Sequence, residues 1–331
     1  MENRKITKTN TGIIVSDPVL QTEYLYVGDY GKENNIKADF LGYTKRIEKV
    51  VHKPVDITDK LVVTVSTQKG CPMRCNFCDC PKYGFHGNLS TWEMLSEITT
   101  AISLSKIQHG KRLNIHFARM GEPTFNMDVI EVAKIVGDIS SSRYRQFGED
   151  APIFDEYHPV VSTMMPRNNS KLLSFLERWT DMMYIDGYPE WGHPGLQFSI
   201  NTLDEAKRNE MFNGLSLSIG EISNIIDKLP MPIDRKYTLN FAVTSENNLD
   251  VDLMNKYFDK DKCIVKITPI HETKEAVHNG YEIVKDFDVY EKFEKPLVDA
   301  GWNVIVFVPS LEEDSDRITC GNSLIALDNQ K

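Results

Sequence analysis

Cys71-Pro-Met-Arg-Cys75-Asn-Phe-Cys78 sets three cysteines four and three residues apart, directly after the apolar run Leu61-Val-Val-Thr-Val-Ser-Thr67. Three thiolates on one short loop can hold three irons of a [4Fe–4S] cube, because such clusters are held by cysteine thiolate. A closed cluster takes four. Three leave one iron open to a small ligand, much as a catalytic zinc keeps one position free. The alternatives are a zinc knuckle completed by Cys80 or a distant His, and ordinary thiols with no metal. The spacing, directly after a strand, favours the cluster and makes Cys71, Cys75 and Cys78 the expected metal ligands.

Outward from this loop the pattern is one of strands alternating with helices. Apolar, β-branched runs fall at 61–67, 113–118, 158–163, 195–201, 237–243 and 263–268, and a further one at 302–308. Helical periodicity fills 91–107, 127–139, 170–179, 217–229, 249–258 and 288–300. Ser90 followed by Glu93 reads as a capping box opening the first helix. Such alternation implies right-handed crossovers and a parallel sheet, and six units imply a curled, partial (β/α)6 barrel over 61–308. Residues 1–60 hold short β-prone pieces at 12–16, 23–27 and 47–51, a small strand-rich extension. Residues 309–331 read as a polar C-terminal loop carrying Cys320.

In parallel α/β folds, ligands bind at the carboxyl ends of the strands. The Cys71 loop, Gly121-Glu-Pro123, Ser162-Thr163, Ser199-Ile-Asn201 and Thr268-Pro-Ile-His271 all follow or end strands, so they share one rim. Gly121 allows close approach of backbone to a ligand, and Glu122 on a stiff turn would offer an ammonium group a fixed acceptor. Alone, the tripeptide is common turn material with an exposed Glu.

At 331 residues with 41 % hydrophobic and 26 % charged residues, the chain has the make-up of a globular protein. No apolar run nears the ~20 residues that span a membrane, and the N-terminus has no apolar signal core, so a cytoplasmic protein is expected. Six cysteines with three clustered point to metal-serving thiols rather than a disulfide framework. A net charge of −10 argues against an extensive basic nucleic-acid surface. Lys45-Arg46 and Arg143-Tyr-Arg145 read as solvated faces. Trp92, Phe117, Phe125, Phe198 and Phe307 read as core, whereas Tyr188 and Trp191 sit in a Pro/Gly-rich loop where they could stack on a ring.

Cys71-x3-Cys75-x2-Cys78 with a following Gly-Glu-Pro resembles the radical S-adenosylmethionine (SAM) superfamily. Finer matches run in order along the chain. Val65-Ser-Thr-Gln-Lys-Gly-Cys71 is similar to the "VSSQVGC" of the RlmN/Cfr family, which methylates an adenine carbon in RNA. Arg119-Met-Gly-Glu-Pro-Thr-Phe-Asn126 resembles its "GMGEPLLN" and Val161-Ser-Thr163 its "VST". Phe198-Ser-Ile-Asn201 resembles "VSLH", Lys266-Ile-Thr-Pro-Ile-His271 "NLIPYN", and Thr319-Cys-Gly-Asn322 "ACGQ".

The resemblance implies a [4Fe–4S] cluster on Cys71, Cys75 and Cys78, whose open iron is chelated by the amino and carboxylate groups of SAM, and whose reduction yields a 5′-deoxyadenosyl radical. It implies that Gly121 and Glu122 hold the SAM amino group, and that Ser162, Ser199, Asn201 and His271 line the rest of SAM. Glu48 matches a proposed acid/base. Cys320 matches the methyl-accepting cysteine: SAM methylates it, a radical takes hydrogen from the S-methyl group, and the methylene radical adds to an unreactive sp2 carbon of RNA adenine or a small molecule. By itself a lone Cys near a C-terminus is usually an inert thiol or a core filler. A flavodoxin or ferredoxin is the expected electron donor.

Two departures stand against the pattern. Thr64 occupies the position of the family's second cysteine, which resolves the adduct; Cys80 or Cys263 could substitute. The helical domain that precedes the barrel in RNA-acting members has no counterpart in the strand-rich first 45 or so residues. A radical SAM enzyme of non-methylating outcome, and a non-catalytic iron–sulfur protein, are the competing readings.

Overall fold

Among the described residues, seven parallel strands carry the helices that the alternating pattern demands. The computed structural model describes residues 4–28, 56–140, 152–184, 192–233, 235–247, 249–284, 287–309 and 311–325. Glu48, the strand expected at 47–51, the two short basic clusters, Tyr188 and Trp191 lie outside them. Three strands lead: β1 (Lys5–Lys8), β2 (Gly12–Asp17) and β3 (Thr22–Val27). Then come β4 (Leu61–Val65), a small hairpin of β5 (Gln68–Gly70) and β6 (Phe85–Asn88), α1 (Thr91–Ser105), β7 (His109–Phe117), α2 (Asp128–Ser140), β8 (Ile153–Thr163) and α3 (Leu172–Tyr184). The chain continues through β9 (Gly195–Ser199), α4 (Glu205–Met211), α5 (Ile219–Lys228), β10 (Tyr237–Val243), α6 (Val251–Tyr257) and β11 (Cys263–Pro269). It ends with α7 (Lys274–His278), α8 (Phe287–Asp299), β12 (Val304–Val306) and α9 (Leu311–Ser315).

All strands but the hairpin form one sheet of order β1-β2-β3-β4-β7-β8-β9-β10-β11-β12. From β4 to β12 every neighbouring pair is parallel. The leading strands add antiparallel to β4 through β3. Among the described residues the sheet stays open, with β1 and β12 at its edges. It is the expected α/β architecture, a parallel β/α sheet that does not close.

Strand alternation splits the two faces. Leu61, Val63 and Val65 on β4, Leu113, Ile115 and Phe117 on β7, Leu239 and Phe241 on β10, and Val265 and Ile267 on β11 are buried in the main core with Leu95, Ile98, Ile102, Val132 and Trp179 of the helices. The alternate residues, among them Thr64, His116, Ser162, Ser199, Asn240 and Lys266, lie on the other face, which is polar. The core therefore sits between sheet and helices, while the opposite, more polar face is also largely buried, with Asn114, Gln197 and Thr238 each 5 % exposed or less.

The capping box forms: the Ser90 hydroxyl accepts from the Glu93 amide, and the Ser90 amide donates to Glu93 Oε2 at 2.8 Å. β7 and β8 begin earlier than the apolar runs, through polar His109–Arg112 and Asp155–Glu156, because their edges face the loops. Phe117 and Phe198 are core, but Trp92, on the first turn of α1, is 80 % exposed and overturns the expectation for it.

One buried carboxyl couples this frame to pH. Glu97 of α1 is fully buried; Oε1 lies 2.5 Å from Thr22 Oγ1, and Oε2 accepts from the Ser66 amide at 2.8 Å. Burial pushes its pKa up to about 8, against the opposing hydrogen bonds of Thr22 and Ser66. The folded chain thus prefers the neutral acid. Its contribution to stability is complete below the ordinary carboxylate range and is lost as pH rises toward 8. Glu97→Gln keeps an acceptor for Ser66 and offers an N–H to Thr22. Thermal scans from pH 5 to pH 8 are expected to show the wild type losing stability with rising pH and the variant losing less; equal slopes would refute the assignment.

Candidate functional site

The cysteine loop is held by its neighbours from every side. Gly70, at φ +77°, turns the chain out of β5, and a Cβ there would lie 1.8 Å from the Gly84 carbonyl. That same carbonyl accepts from the Cys71 amide at 2.9 Å. The Asn76 amide donates to Met211 O at 2.9 Å, Thr273 Oγ1 to Phe77 O at 2.9 Å, and the Asp79 amide to Gly321 O at 2.8 Å. The end of α4, the start of α7 and the C-terminal loop therefore fix the three thiols together. Gly70→Ala is expected to displace the loop, costing about 1–3 kcal/mol of strain and lowering iron content after anaerobic reconstitution to less than about half of wild type. Iron content equal to wild type would refute this.

The surroundings of the thiols are apolar. Met73, Met164, Met211, Phe212, Ile270 and Ala276 form a buried cluster against which Cys71, Cys75 and Phe77 pack. Burial, reinforced by the neighbouring thiolates, pushes the Cys71 and Cys75 thiols well above their ordinary range. Cys78 moves the other way, chiefly through a hydrogen bond from Cys80. Three thiols crowded in an apolar shell repel one another as thiolates unless a cationic centre joins them, and a coordinating thiol is deprotonated outright. Among the described residues, no three His, Cys, Asp or Glu side chains close around one point as a single ion needs. A cube distributes its ligands over separate irons, and this donor set fits it.

Gly-Glu-Pro is not a plain exposed turn. Gly121 has φ +102°, and a Cβ there would meet the Gln68 side chain and Thr67 Oγ1 at 2.7–2.8 Å. Glu122 is 4 % exposed. Its amide donates to Gln68 Oε1 at 2.9 Å; its Oε1 accepts from Thr124 Oγ1 at 2.7 Å and its Oε2 from the Met164 amide at 3.0 Å. Burial raises its pKa while these hydrogen bonds lower it. The Thr124 amide at 3.2 Å and the Thr163 hydroxyl also donate to it, so its roughly four acceptor positions are engaged, and an ammonium group would pair with its charge by sharing or displacing one of these donors.

At the β9 exit, Ser199 is half-buried and Asn201 is buried at φ +63°. The Asn201 carboxamide accepts from the Ala242 amide at 3.2 Å, which ties β9 to β10. Ser162 is half-buried on the polar face, while its neighbour Thr163 bonds to Glu122. Arg208 escapes sequence reading altogether. Buried, it donates to Ser199 O at 2.8 Å, Ser216 Oγ at 2.5 Å and Met164 O at 3.3 Å, and stacks on Phe212. It locks the β8 and β9 exits together.

Cys320 sits beside the cysteine loop. Gly321, at φ +86°, packs so closely that a Cβ would be 3.2 Å from Thr273 Cγ2, 3.4 Å from Phe77 O and 3.8 Å from Cys78 Cα. Cys320 is an exposed residue, yet burial by the protein around its thiol raises the pKa, reinforced by Cys78. Its loop is anchored by Arg119, whose guanidinium pairs with Glu23 and donates to Arg317 O at 3.0 Å, Thr319 O at 3.3 Å and Ile318 O at 3.4 Å. The second Glu23 oxygen accepts from the Leu324 and Ile325 amides at 2.8 and 3.0 Å. His271 Nδ1 lies 3.1 Å from Asp314 Oδ1, and the same oxygen accepts from Thr319 Oγ1 at 2.5 Å. His271 is thus turned toward the segment that carries Cys320.

Thr64 is half-buried on the polar face, in register with Leu25 and His116. Of the two spare thiols, Cys263 opens β11 on the core side, about 20 Å along the strand from the rim. Cys80 is at the rim, buried, with Sγ 3.3 Å from Arg119 O.

No protein-family model matches the chain. Curated relatives include dual-specificity RNA methyltransferases RlmN. One from Aliarcobacter butzleri is 24 % identical over 204 residues, 60 % of this chain and 49 % of the relative. A probable one from Pseudothermotoga lettingae is 27 % identical over 215 residues, 63 % and 54 %. A probable one from Parabacteroides distasonis is 32 % identical over 134 residues, 38 % and 37 %. The chain thus spans about half the length or less of these relatives. A crystal structure of a radical SAM methyltransferase from Sphaerobacter thermophilus shares the fold, with a TM-score of 0.63 over 98 % of this chain and 82 % of that one at 16 % identity. This chain is similar in sequence to RlmN methyltransferases and in fold to a radical SAM methyltransferase. That kinship agrees with the position of the cysteine loop, Gly-Glu-Pro and the Cys320 loop at one rim. Among the described residues, no helix is long and apolar enough to cross a membrane.

Proposed function

We propose that this chain is a radical SAM C-methyltransferase that passes a methyl group through Cys320 to an unreactive sp2 carbon. The observation that carries the reading is the docking of the Cys320 loop on the cysteine loop, through the Asp79 amide to Gly321 O at 2.8 Å and the close approach of Gly321 to Cys78. Cys71, Cys75 and Cys78 hold the cluster. Gly121 and Glu122 receive the amino group of SAM, with Ser162, Ser199 and Asn201 along the same rim. Bound together, cluster and SAM supply a 5′-deoxyadenosyl radical, the difficult chemistry that the protein only has to aim. Apolar side chains around the cysteines keep water from that site. Cys320 offers the sulfur that carries the methyl group, and Cys80, at the same rim, is the thiol placed to resolve an adduct. A flavodoxin or ferredoxin supplies electrons, and the acceptor is an RNA adenine or a small molecule.

The test is an anaerobic assay of the reconstituted protein with SAM deuterated in its methyl group, against RNA and small-molecule pools. Label in a product carbon is expected alongside 5′-deoxyadenosine. Formation of 5′-deoxyadenosine without label in any product would favour a dehydrogenase or rearrangement catalyst; an intact cluster with no SAM cleavage would leave an iron–sulfur protein without this activity.

A further inference from the structure

Arg208, on α4, is a buried cation with no anion in contact with it. The residue is 1 % exposed. Besides Ser199 O, Met164 O and Ser216 Oγ, its guanidinium donates to Leu217 O at 3.3 Å and to Ile200 O. Every one of these acceptors is neutral. Among the described residues it makes no ion pair. Glu205, on the same helix, is exposed, and its Oε1 accepts from the Ile219 amide at 2.7 Å. Burial draws the Arg208 pKa down to about 10, which leaves the group charged at neutral pH. Arginine is almost never fully buried without a paired anion, because taking its charge out of water is costly. The carbonyls satisfy its hydrogen bonds but not its charge.

The surroundings of Arg208 show where an anion would compensate it. Its guanidinium carbon lies 4.6 Å from the centroid of the Phe212 ring, and Phe212 meets Phe77 edge-on at 5.7 Å. Phe77 stands between Cys75 and Cys78. The end of α4 grips the same loop: the Asn76 amide donates to Met211 O and the Asn76 carboxamide to Glu210 O at 2.8 Å. Met164 leads to the other half of the site, with its carbonyl on Arg208 and its amide on Glu122 Oε2. Arg208 is therefore one layer of side chains from the cysteine loop and one peptide unit from Glu122. Met164, Met211 and Phe212 of that layer belong to the apolar cluster against which Cys71 and Cys75 pack. Charges act more strongly through such a layer than through water.

The potential of an iron–sulfur cluster follows the net charge and the solvent exposure around it. Reduction adds one negative charge, so a fixed cation in a dry shell favours the reduced form. We propose that Arg208 is the counter-charge of the iron–sulfur site, raising the reduction potential of a cluster on Cys71, Cys75 and Cys78 and so easing the entry of the electron that SAM cleavage requires. The proposal rests on the reading of these three cysteines as cluster ligands and is independent of Cys320. With its donors engaged by protein acceptors, Arg208 acts through its charge rather than by contact, and the same hydrogen bonds hold that charge in place.

The test is a redox titration of the full-length protein, reconstituted anaerobically with iron and sulfide. Dithionite is the reductant, SAM is absent, and the reduced cluster is read by electron paramagnetic resonance. Arg208→Gln keeps a donor for the carbonyls and removes the charge. It is expected to lower the potential by about 59 mV or more, a tenfold fall in the reduced-to-oxidised ratio at a fixed potential. Arg208→Lys keeps the charge and is expected to stay within about threefold of the wild-type ratio. Ser216→Asp leaves Arg208 in place, gives it a carboxylate, and is expected to reproduce the fall. A residue that only locks the β8 and β9 exits would alter the stability of these variants and leave their potentials alike. A wild-type potential in Arg208→Gln, or equal shifts in Arg208→Gln and Arg208→Lys, would overturn the proposal. If Arg208→Gln does not fold, Ser216→Asp decides, and a wild-type potential there overturns it. A wild type that takes up no cluster would refute the reading of the cysteines, and the proposal with it.

Discussion

Cys320→Ala is expected to abolish transfer of labelled methyl, by on the order of 10³-fold or more, while SAM is still cleaved to 5′-deoxyadenosine within about tenfold of wild type. The asymmetry follows from where the thiol sits. The cysteines assigned to the cluster are on the loop between β5 and β6, and the groups assigned to SAM are on the exits of β7, β8 and β9. None of these depends on the sulfur of Cys320. The loop that carries it is fixed by backbone and distant side chains: Arg119 on Arg317, Ile318 and Thr319 carbonyls, Asp314 on Thr319, and Asp79 on Gly321. Removing one sulfur atom therefore leaves the loop in place and deletes only the proposed methyl carrier. Cys320→Ser tests the same point with a hydroxyl of similar size, which is a poorer nucleophile than a thiolate at neutral pH. Mass spectrometry of product and of 5′-deoxyadenosine in one reaction reads both halves. Wild-type methylation by Cys320→Ala would sink the role; loss of both activities would make Cys320 part of the SAM site instead.

How much of this the sequence reveals depends on the range of the interaction. The cysteine loop, the capping box at Ser90 and the turn at Gly121 are local: a few consecutive residues fix each, and each stands where expected. The order of strands and helices follows from apolar periodicity, and the shared rim follows from that order. Short elements without such a pattern escape it. β5 is Gln-Lys-Gly, α4 is Glu-Ala-Lys-Arg-Asn-Glu-Met, and α7 has only five residues. Long-range partners escape it more thoroughly. Nothing near Glu23 in the chain announces a pairing with Arg119, and nothing near Arg208 announces that it spans the β8 and β9 exits. Glu122 shows the same limit, because a common turn becomes a buried acceptor only through Gln68, Thr124 and Met164.

Arg119→Met is the second large effect, and it separates the frame of the site from its chemistry. The Arg119–Glu23 pair is almost completely buried, with side-chain exposures of 1 % and 0 %. Breaking a buried pair by removing one partner costs about 3–5 kcal/mol, since the remaining charge is left uncompensated. With about 2.1 cal/mol/K of unfolding entropy per residue, that corresponds to a fall in Tm of about 4–7 °C for a two-state chain of this length. The loss also frees the carbonyls of Arg317, Ile318 and Thr319, so Cys320 loses its fixed distance from the cysteine loop. Misplacing a reacting group by about 1 Å can cost about 10²-fold, and methyl transfer is expected to fall by that order while SAM cleavage falls much less. Glu23 keeps two other donors, the Leu324 and Ile325 amides. In the double variant Arg119→Met with Glu23→Gln, a neutral amide can still accept from them and no buried charge is stranded. Tm is therefore expected to recover by about half of the loss, whereas methyl transfer stays low because the three carbonyls still lack their donor. Recovery of both together would mean that Arg119 acts on methyl transfer only through stability; recovery of stability alone is what a positioning residue for Cys320 requires.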